Sequence, residues 1–182
     1  GLALNALSRV LPELMGGSAD LTSSNNVTLE GQEFFSVATP AGRGLHFGVR
    51  EHAMGAIING MAYHGGVLPF CATYLVFTDY LRPALRVAAL SRLHTLSIMT
   101  HDSFYVGQDG PTHQPVEQLS ALRLIPNLVV LRPGDAAETA AAWKTAVQLK
   151  NQPVVFALSR QDIPQIDREK YATADGLQRG AY

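Results

Sequence analysis

The chain has 182 residues, a formal net charge of −1 and a charged fraction of 16%, below the roughly 25% of ordinary globular chains. This length is enough for one domain that buries roughly 70% of the surface of its unfolded chain. The lack of a basic stripe argues against nucleic acid as the main partner. No apolar stretch reaches the about 18 residues that indicate a membrane-spanning helix, so the sequence also predicts no membrane partner.

The single cysteine, Cys71, excludes an internal disulfide and favours a reducing, cytoplasmic compartment. It lies in an apolar run, where a buried, inert thiol is more typical than a nucleophile. Residue 1 is a glycine that leads directly into a helical pattern, and residues 176–182 carry no helix stop signal. We therefore expect a fragment of a longer protein.

Helical and strand-like segments alternate along the chain after an opening helix at residues 2–11. The sequence predicts strands at residues 45–49, 67–76, 93–100, 127–131 and 154–158, and helices at residues 51–64, 78–90, 116–124 and 135–149. The strands are continuous apolar runs, which is typical of a parallel sheet covered on both faces. We predict an α/β fold, with three α/β/α layers around a mostly parallel sheet of about six strands.

Polar residues follow several of these predicted strands. In open α/β sheets, ligands bind beyond the carboxyl ends of the strands. Here those ends carry Asp20, the helix start at Glu51, the loop that begins at His101, and Arg160. We therefore expect the functional site at this edge of the sheet.

Glu51 begins the predicted helix at residues 51–64. An acid at a helix start is commonly explained by the helix dipole alone. Around Glu51, however, the residues are mostly Val, Ala, Met and Ile, and Arg50 and His52 are its ionisable neighbours. A carboxyl group in apolar surroundings is disfavoured in its charged form and can share a proton with a ligand. The sequence therefore predicts that Glu51 handles a proton.

The loop at residues 101–115 contains His101, Asp102, Asp109 and His113 among glycines and prolines. A metal site is one interpretation, but zinc ligands from one loop usually lie closer together than the twelve positions between the two histidines. Hydrogen bonding to substrate hydroxyls and proton transfer near neutral pH suit them better. Loop histidines without a role remain the alternative.

Two further groups have both a structural and a functional interpretation. Asp20 is followed by the hydroxyls of residues 22–24, and these hydroxyls together with Arg160 suit a phosphate. From these residues alone, a capping turn and a surface ion pair are the favoured interpretation. Tyr74, Phe77 and Tyr80 are spaced by three residues. Aromatic residues so placed usually belong to a core, and the alternative is a pocket that stacks a flat ring.

Five motifs in this chain resemble transketolase in their order and spacing. They are residues 17–22 (GSADLT), 48–54 (GVREHAM), 100–103 (THDS), 109–115 (DGPTHQP) and 158–161 (LSRQ). The resemblance covers nearly the whole chain and identifies residues 1–165 with the pyrimidine-binding domain of this thiamine-diphosphate enzyme. It implies a thiamine-diphosphate-binding fold, with residues 166–182 as a linker towards a C-terminal domain that lies outside this chain.

The resemblance also implies roles for individual residues. Glu51 would hydrogen-bond the ring nitrogen of the aminopyrimidine and favour the imino tautomer that deprotonates the thiazolium carbon. Tyr74, Phe77 and Tyr80 would hold the pyrimidine ring, and Asp20 would lie near both cofactor and substrate.

For the substrate, the resemblance implies contacts from the loop at residues 101–115, from Ser24 and from Arg160. His101, Asp109 and His113 would bind the hydroxyls of a sugar, and Ser24 and Arg160 would bind its phosphate. The catalytic residues would then be Glu51, His101 and His113.

The implied reaction moves a two-carbon ketol unit from a ketose phosphate to an aldose phosphate, as in the pentose phosphate pathway and the Calvin cycle. The cofactor would be thiamine diphosphate, with Mg²⁺ or Ca²⁺ held by a diphosphate-binding domain outside this chain. The expected assembly is a homodimer with the cofactor at the interface, so this chain alone would hold half a site and be inactive.

Two departures from the family pattern leave alternatives open. Phe104 and Tyr105 stand where the family commonly has Ile-Gly, and Gln108 stands where it has Glu. Bulky rings there would narrow the substrate channel and change donor preference. The alternatives are a sister enzyme, dihydroxyacetone synthase or 1-deoxyxylulose-5-phosphate synthase, and a non-catalytic subunit that completes a partner's site.

Overall fold

The computed structural model describes residues 1–180 and residue 182. The strands are β1 (Leu14–Ser18), β2 (Gly44–His46), β3 (Leu68–Tyr74), β4 (Leu96–Thr100), β5 (Val129–Leu131) and β6 (Val154–Ala157). The helices are α1 (Leu2–Ser8), α2 (Glu51–His64), α3 (Thr78–Leu90), α4 (Gln118–Arg123) and α5 (Ala136–Gln148). Short 3₁₀ turns cover Leu75–Phe77, Phe104–Val106, Pro111–His113 and Ala174–Arg179.

The described strands form one sheet in the order β2-β1-β3-β4-β6-β5, and every pairing within it is parallel. The predicted α/β class is thereby confirmed, and the sheet is fully rather than mostly parallel. All seven residues of β3 and all five of β4 are buried. Strands that are buried on both faces account for the continuous apolar runs in the sequence.

Hydrophobic side chains cover the sheet on both faces. On one face, Leu4 of α1 and Trp143 of α5 pack in a cluster with Phe70 of β3. On the other face, α2, α3 and α4 pack in a second cluster that includes Cys71 of β3. Neighbouring residues of a strand thus point into different cores, as the pleat requires. The three-layer arrangement follows.

Cys71 is a buried, free thiol, as the apolar run around it predicts. Burial raises its pKa to about 12, and the neighbouring Ser97 hydroxyl only partly opposes this shift. The reactive form of cysteine is the thiolate. Cys71 is therefore an inert part of the core.

The strand β1 was not recognised from the sequence, because its Leu-Met-Gly-Gly-Ser run has the composition of a turn. Both of its glycines lie where a side chain cannot fit. A Cβ on Gly16 would lie 2.0 Å from the carbonyl oxygen of Phe70, and one on Gly17 would lie 1.8 Å from that of Leu45. Glycine inside a strand often marks such a close approach of another backbone.

Asp135 connects the start of α5 to the last part of the chain. Its Oδ1 accepts a hydrogen bond from the backbone N–H of Glu138 at 2.8 Å, which caps the helix as the sequence predicts. Its Oδ2 accepts from Arg168 at 2.6 Å, from Ile166 N at 3.0 Å and from Gln165 Nε2 at 2.7 Å. Burial alone would raise the pKa of Asp135, but these donors lower it below its ordinary value.

We expect Asp135→Asn to lower the free energy of unfolding at pH 7 by about 2–3 kcal/mol, because the amide loses charged hydrogen bonds and turns a donor towards other donors. The lowered pKa means that this contribution is present above the ordinary carboxyl pKa of 3.8. It is lost as the pH falls through the lower value of the folded state. Urea unfolding between pH 7 and pH 3 measures both effects. Asp167→Asn, at an exposed neighbour, is the control, and an unchanged midpoint at pH 7 would contradict the prediction.

Candidate functional site

An aromatic cluster follows the carboxyl end of β3. Tyr74 is the last residue of this strand, Phe77 ends the following 3₁₀ turn, and Tyr80 lies in the first turn of α3. The ring centroids of Tyr74 and Phe77 are 6.1 Å apart with an interplanar angle of 8°, and those of Phe77 and Tyr80 are 6.1 Å apart at 27°. The three rings are therefore nearly parallel, an arrangement suited to packing against a further flat ring.

Both predicted histidines contact this aromatic cluster. His101, the first residue after β4, stacks on Tyr74 with a centroid distance of 3.7 Å and an interplanar angle of 21°. The ring of His113 meets Phe77 edge-on at 5.2 Å and Tyr74 at 6.1 Å. The structure thus brings the predicted loop histidines and the predicted stacking residues together.

His101 has a φ of 59°, a conformation that is uncommon for a residue other than glycine. Its side chain is buried, and this burial is the main reason that its pKa lies below the ordinary 6.5. The charge of Asp109 opposes the shift, whereas Arg160 and His113 add to it. These three residues therefore lie within electrostatic reach of His101, whose imidazole is neutral at neutral pH.

The lowered pKa of His101 predicts a stability that depends on pH. The unfolded chain binds its proton more readily, so the free energy of unfolding falls as the pH drops from about 7.5 to 5.5. His94, whose pKa burial also lowers, contributes in the same direction. We expect His101→Gln to reduce the slope of stability against pH, measured by urea unfolding. His52→Gln, at an exposed position, is the control, and an unchanged slope in His101→Gln would contradict the prediction.

Glu51 is the first residue of α2 and is only 7% exposed. Helix α2 packs against β3 and α3, the elements that carry the aromatic cluster. Within residues 1–180 and 182, the Glu51 carboxylate makes no hydrogen bond or ion pair. Its oxygens are not among the fully buried, unpaired polar atoms of these residues, so they retain some exposure and are available to a ligand.

The loop after β1 holds two further predicted residues, Asp20 and Ser24. Asp20 is exposed and has a φ of 63°, so it shares with His101 a left-handed backbone directly beyond a strand end. Ser24 is also exposed, and its neighbour Asn25 hydrogen-bonds Thr100 at the end of β4. This hydrogen bond holds the loop against the carboxyl end of β4. The described residues include no direct bond between Ser24 and Arg160.

The model of the family described as "Transketolase, pyrimidine binding domain" matches residues 1–165. The chain belongs to this family. Transketolase from Aquifex aeolicus (strain VF5) is 53% identical over 182 residues, which is 100% of this chain and 26% of that relative. A solved structure agrees: transketolase from Leishmania mexicana superimposes with a TM-score of 0.93 at 47% identity, over 98% of this chain and 27% of that one.

A more distant solved structure, a split gene transketolase described as an inactive beta4 tetramer, has a TM-score of 0.68 and 28% identity. It is matched over 91% of this chain and 51% of its own length. The chain studied here thus spans about a quarter of the first two relatives and about half of the split one.

Within the transketolase family fold, three buried polar residues near the site were not predicted as functional. Asn25, Ser18 and Thr100 connect β1 to β4 by side-chain hydrogen bonds of 2.7 Å each. Ser18 and Thr100 lie inside the recognised motifs, but Asn25 lies beyond them in a polar loop. A local pattern could not identify Asn25, because its partner Thr100 is 75 positions away.

A cavity of about 910 Å³ lies elsewhere, between the end of β5, the start of α5 and the last part of the chain. Arg132, Arg168 and Tyr171 are among its lining residues, and none of the predicted site residues is. Glu51 and the stacked aromatic rings instead follow the carboxyl ends of β2 and β3. We therefore place the candidate site at this edge of the sheet.

No group of three or more His, Cys, Asp or Glu side chains within residues 1–180 and 182 could hold a metal ion. None of the helices in this part of the chain has the length and apolar character needed to cross a membrane.

Proposed function

We propose that this chain supplies the pyrimidine-binding half of a thiamine-diphosphate site in a transketolase. The intact enzyme would transfer a two-carbon ketol unit from a ketose phosphate to an aldose phosphate. The observation that carries this proposal is Glu51, a largely buried residue whose carboxylate has no partner among the described residues, on a helix packed against the elements that carry the aromatic cluster. Membership of the family and the names of the relatives support transketolase over the sister enzymes.

The site residues fit the aminopyrimidine end of the cofactor. A flat ring can pack against Tyr74, Phe77 and Tyr80, and a ring nitrogen can use the free oxygens of Glu51. When bound, thiamine diphosphate supplies a carbon nucleophile and an electron sink for cleavage beside a ketone. Glu51 holds the proton at the ring nitrogen, which is work suited to a carboxyl group in apolar surroundings.

The rest of the site binds the sugar phosphate in this proposal. Neutral His101, together with Asp109 and His113, hydrogen-bonds the sugar hydroxyls, and these three groups already interact through their charges. Arg160 is exposed beyond the end of β6 and, with Ser24, binds the phosphate by charge-assisted hydrogen bonds. Asp20, on the loop after β1, lies near both cofactor and substrate in this proposal.

The complete site requires other parts of the protein. We propose that residues 1–165 form the pyrimidine-binding domain and that residues 166–182 lead to a further domain. The metal, Mg²⁺ or Ca²⁺, and the diphosphate would be held by a domain outside this chain, in a cytoplasmic homodimer. Exposed apolar residues on α2 support association, since Ile57 is 49% exposed and Tyr63 is 82% exposed.

An assay of the intact protein with different acceptors tests the function. Transfer from a ketose phosphate to ribose 5-phosphate indicates transketolase. Formaldehyde as the preferred acceptor indicates dihydroxyacetone synthase, and a requirement for pyruvate with glyceraldehyde 3-phosphate indicates 1-deoxyxylulose-5-phosphate synthase. Loss of transfer without thiamine diphosphate is expected, and transfer without it would overturn the proposal. Sedimentation tests the homodimer, which a clean monomer at high concentration would contradict.

A separate subunit is the second candidate, and the similarity to a split gene transketolase favours it. In that case the chain is inactive alone and gains transfer activity only when mixed with a chain that carries the diphosphate-binding domain. Activity of the mixture, with none in either component, supports this arrangement. Activity of a single continuous chain excludes it.

A further inference from the structure

A buried row of hydrogen-bonded side chains leads from β1 to His101. Ser18 Oγ donates to Asn25 Oδ1 at 2.7 Å, Asn25 Nδ2 donates to Thr100 Oγ1 at 2.7 Å, and Thr100 Oγ1 lies 2.9 Å from His101 Nδ1. Each of the four residues is at most 7% exposed. Water therefore does not compete for these bonds. At the start of the row, Ser18 Oγ also accepts from Leu21 N at 3.3 Å and lies 3.0 Å from the carbonyl oxygen of Ala72.

The direction of the row determines where His101 carries its proton. Because Asn25 donates to Thr100 Oγ1, the Thr100 hydroxyl keeps its own proton for another acceptor. In the described part of the chain, that acceptor is His101 Nδ1. A nitrogen that accepts a hydrogen bond has no proton, so the neutral imidazole carries its proton on Nε2.

We propose that Asn25 is a positioning residue, which acts through Thr100 to hold His101 as the Nε2–H tautomer with Nε2 donating to a substrate oxygen. The stacking of His101 on Tyr74, at 3.7 Å, fixes the plane of the ring, and the bond to Thr100 fixes its rotation within that plane. Only the identity of the group bound at Nε2 rests on the proposed function. The tautomer is a property of this chain.

The charged groups around His101 do not replace this row. Asp109, Arg160 and His113 act on its protonation through their charges, whereas the bond to Nδ1 comes from Thr100 alone among the described residues. Burial, modified by these charges, determines whether the ring is neutral, and the hydrogen-bonded row determines which nitrogen of the neutral ring keeps the proton.

Asn25→Asp tests the proposal, because a carboxylate has nearly the shape of the amide but accepts only. Asp at position 25 would accept from Ser18 and from the Thr100 hydroxyl, which leaves Thr100 Oγ1 to accept from His101. The row then runs in the opposite direction, and His101 should become the Nδ1–H tautomer. Asn26→Asp adds the same charge at the exposed neighbouring position and should leave the tautomer unchanged.

The measurement is the ¹⁵N NMR signature of the imidazole nitrogens in the whole chain labelled at histidine, at pH 7.5. His101→Gln identifies the His101 signals among the six histidines. Nε2–H in the wild type and Nδ1–H in Asn25→Asp are expected. Nδ1–H in the wild type, or an unchanged tautomer in folded Asn25→Asp, would overturn the proposal.

A second pair of variants covers the case in which Asn25→Asp does not fold. Thr100→Ser keeps the hydroxyl and should keep the Nε2–H tautomer, whereas Thr100→Val has the same shape without a hydroxyl and should give a mixture of tautomers. A single Nε2–H form in Thr100→Val would overturn the proposal. Absence of ketol transfer by the intact protein, with the expected tautomers present, would reject the proposed function and leave this inference standing.

Discussion

Glu51→Gln in the intact protein is expected to lower kcat for ketol transfer by at least about 10³-fold, a loss within the range for a removed proton-transfer group. The amide keeps the size and the hydrogen-bonding reach of the acid but cannot hold a proton for a ring nitrogen. Folding should be preserved, because the buried carboxylate makes no bond with any described residue that the amide would break. Steady-state kinetics, together with thermal unfolding of the same samples, separates the two effects.

Glu117→Gln is the matched control for this experiment. Glu117 precedes α4 directly, is exposed and carries the same side chain at a helix start. Its substitution changes helix-dipole interactions by about 0.3–1 kcal/mol and should leave kcat unchanged. Turnover by Glu51→Gln within about threefold of the wild type would remove Glu51 from the proposed role, whatever the family of the chain.

Gly17→Ala should produce the largest loss of stability, with the free energy of unfolding lowered by at least about 3 kcal/mol. The added Cβ would lie 1.8 Å from the carbonyl oxygen of Leu45, which is backbone and cannot rotate away. Strand β2 would be pushed from β1, and the following residues Ser18 and Asp20 would shift with it. Urea unfolding measures the loss, and reduced activity of the intact protein should accompany it.

Gly60→Ala makes the same chemical change with the opposite expected sign. Gly60 lies inside α2, and a Cβ there meets nothing within 4 Å. Alanine in a helix interior is more favourable than glycine by about 0.5–1 kcal/mol, so this variant should be more stable than the wild type. A wild-type midpoint for Gly17→Ala would contradict the close packing of β1 against β2.

The regular elements were predictable where the sequence pattern is local. Helix α3 has the predicted bounds, and α2 begins at Glu51 as predicted. The apolar pattern that predicts each helix lies within the helix itself, and for α2 the glycine pair that ends it follows directly. Asp135 caps α5 because capping depends only on the next helical turn. Strand β1 was missed because its glycines are required by close backbone contacts with Phe70 and Leu45, which lie far away in the sequence.

The candidate residues of the site came from the sequence, but their contacts with one another did not. Tyr74, Phe77, His101 and His113 were each proposed from spacing and motif. The stacking of His101 on Tyr74 depends on the parallel pairing of β3 with β4. The bond from Asn25 to Thr100 depends on the loop after β1 crossing the sheet edge. No local pattern contains either contact.

The sequence by itself determined the fold class and the family of this chain, because continuous apolar strands can be buried only in a covered parallel sheet and the five motifs occur in the family order. It also determined which residues are candidates for chemistry. Only the tertiary structure decided that the Glu51 carboxylate has no partner among the described residues, that the aromatic rings stack, and that Asn25 reaches His101 through Thr100. The physical reason is that burial and hydrogen-bond direction depend on contacts between strand ends that are far apart in the sequence. The sequence around one strand contains only one of the two partners in such a contact.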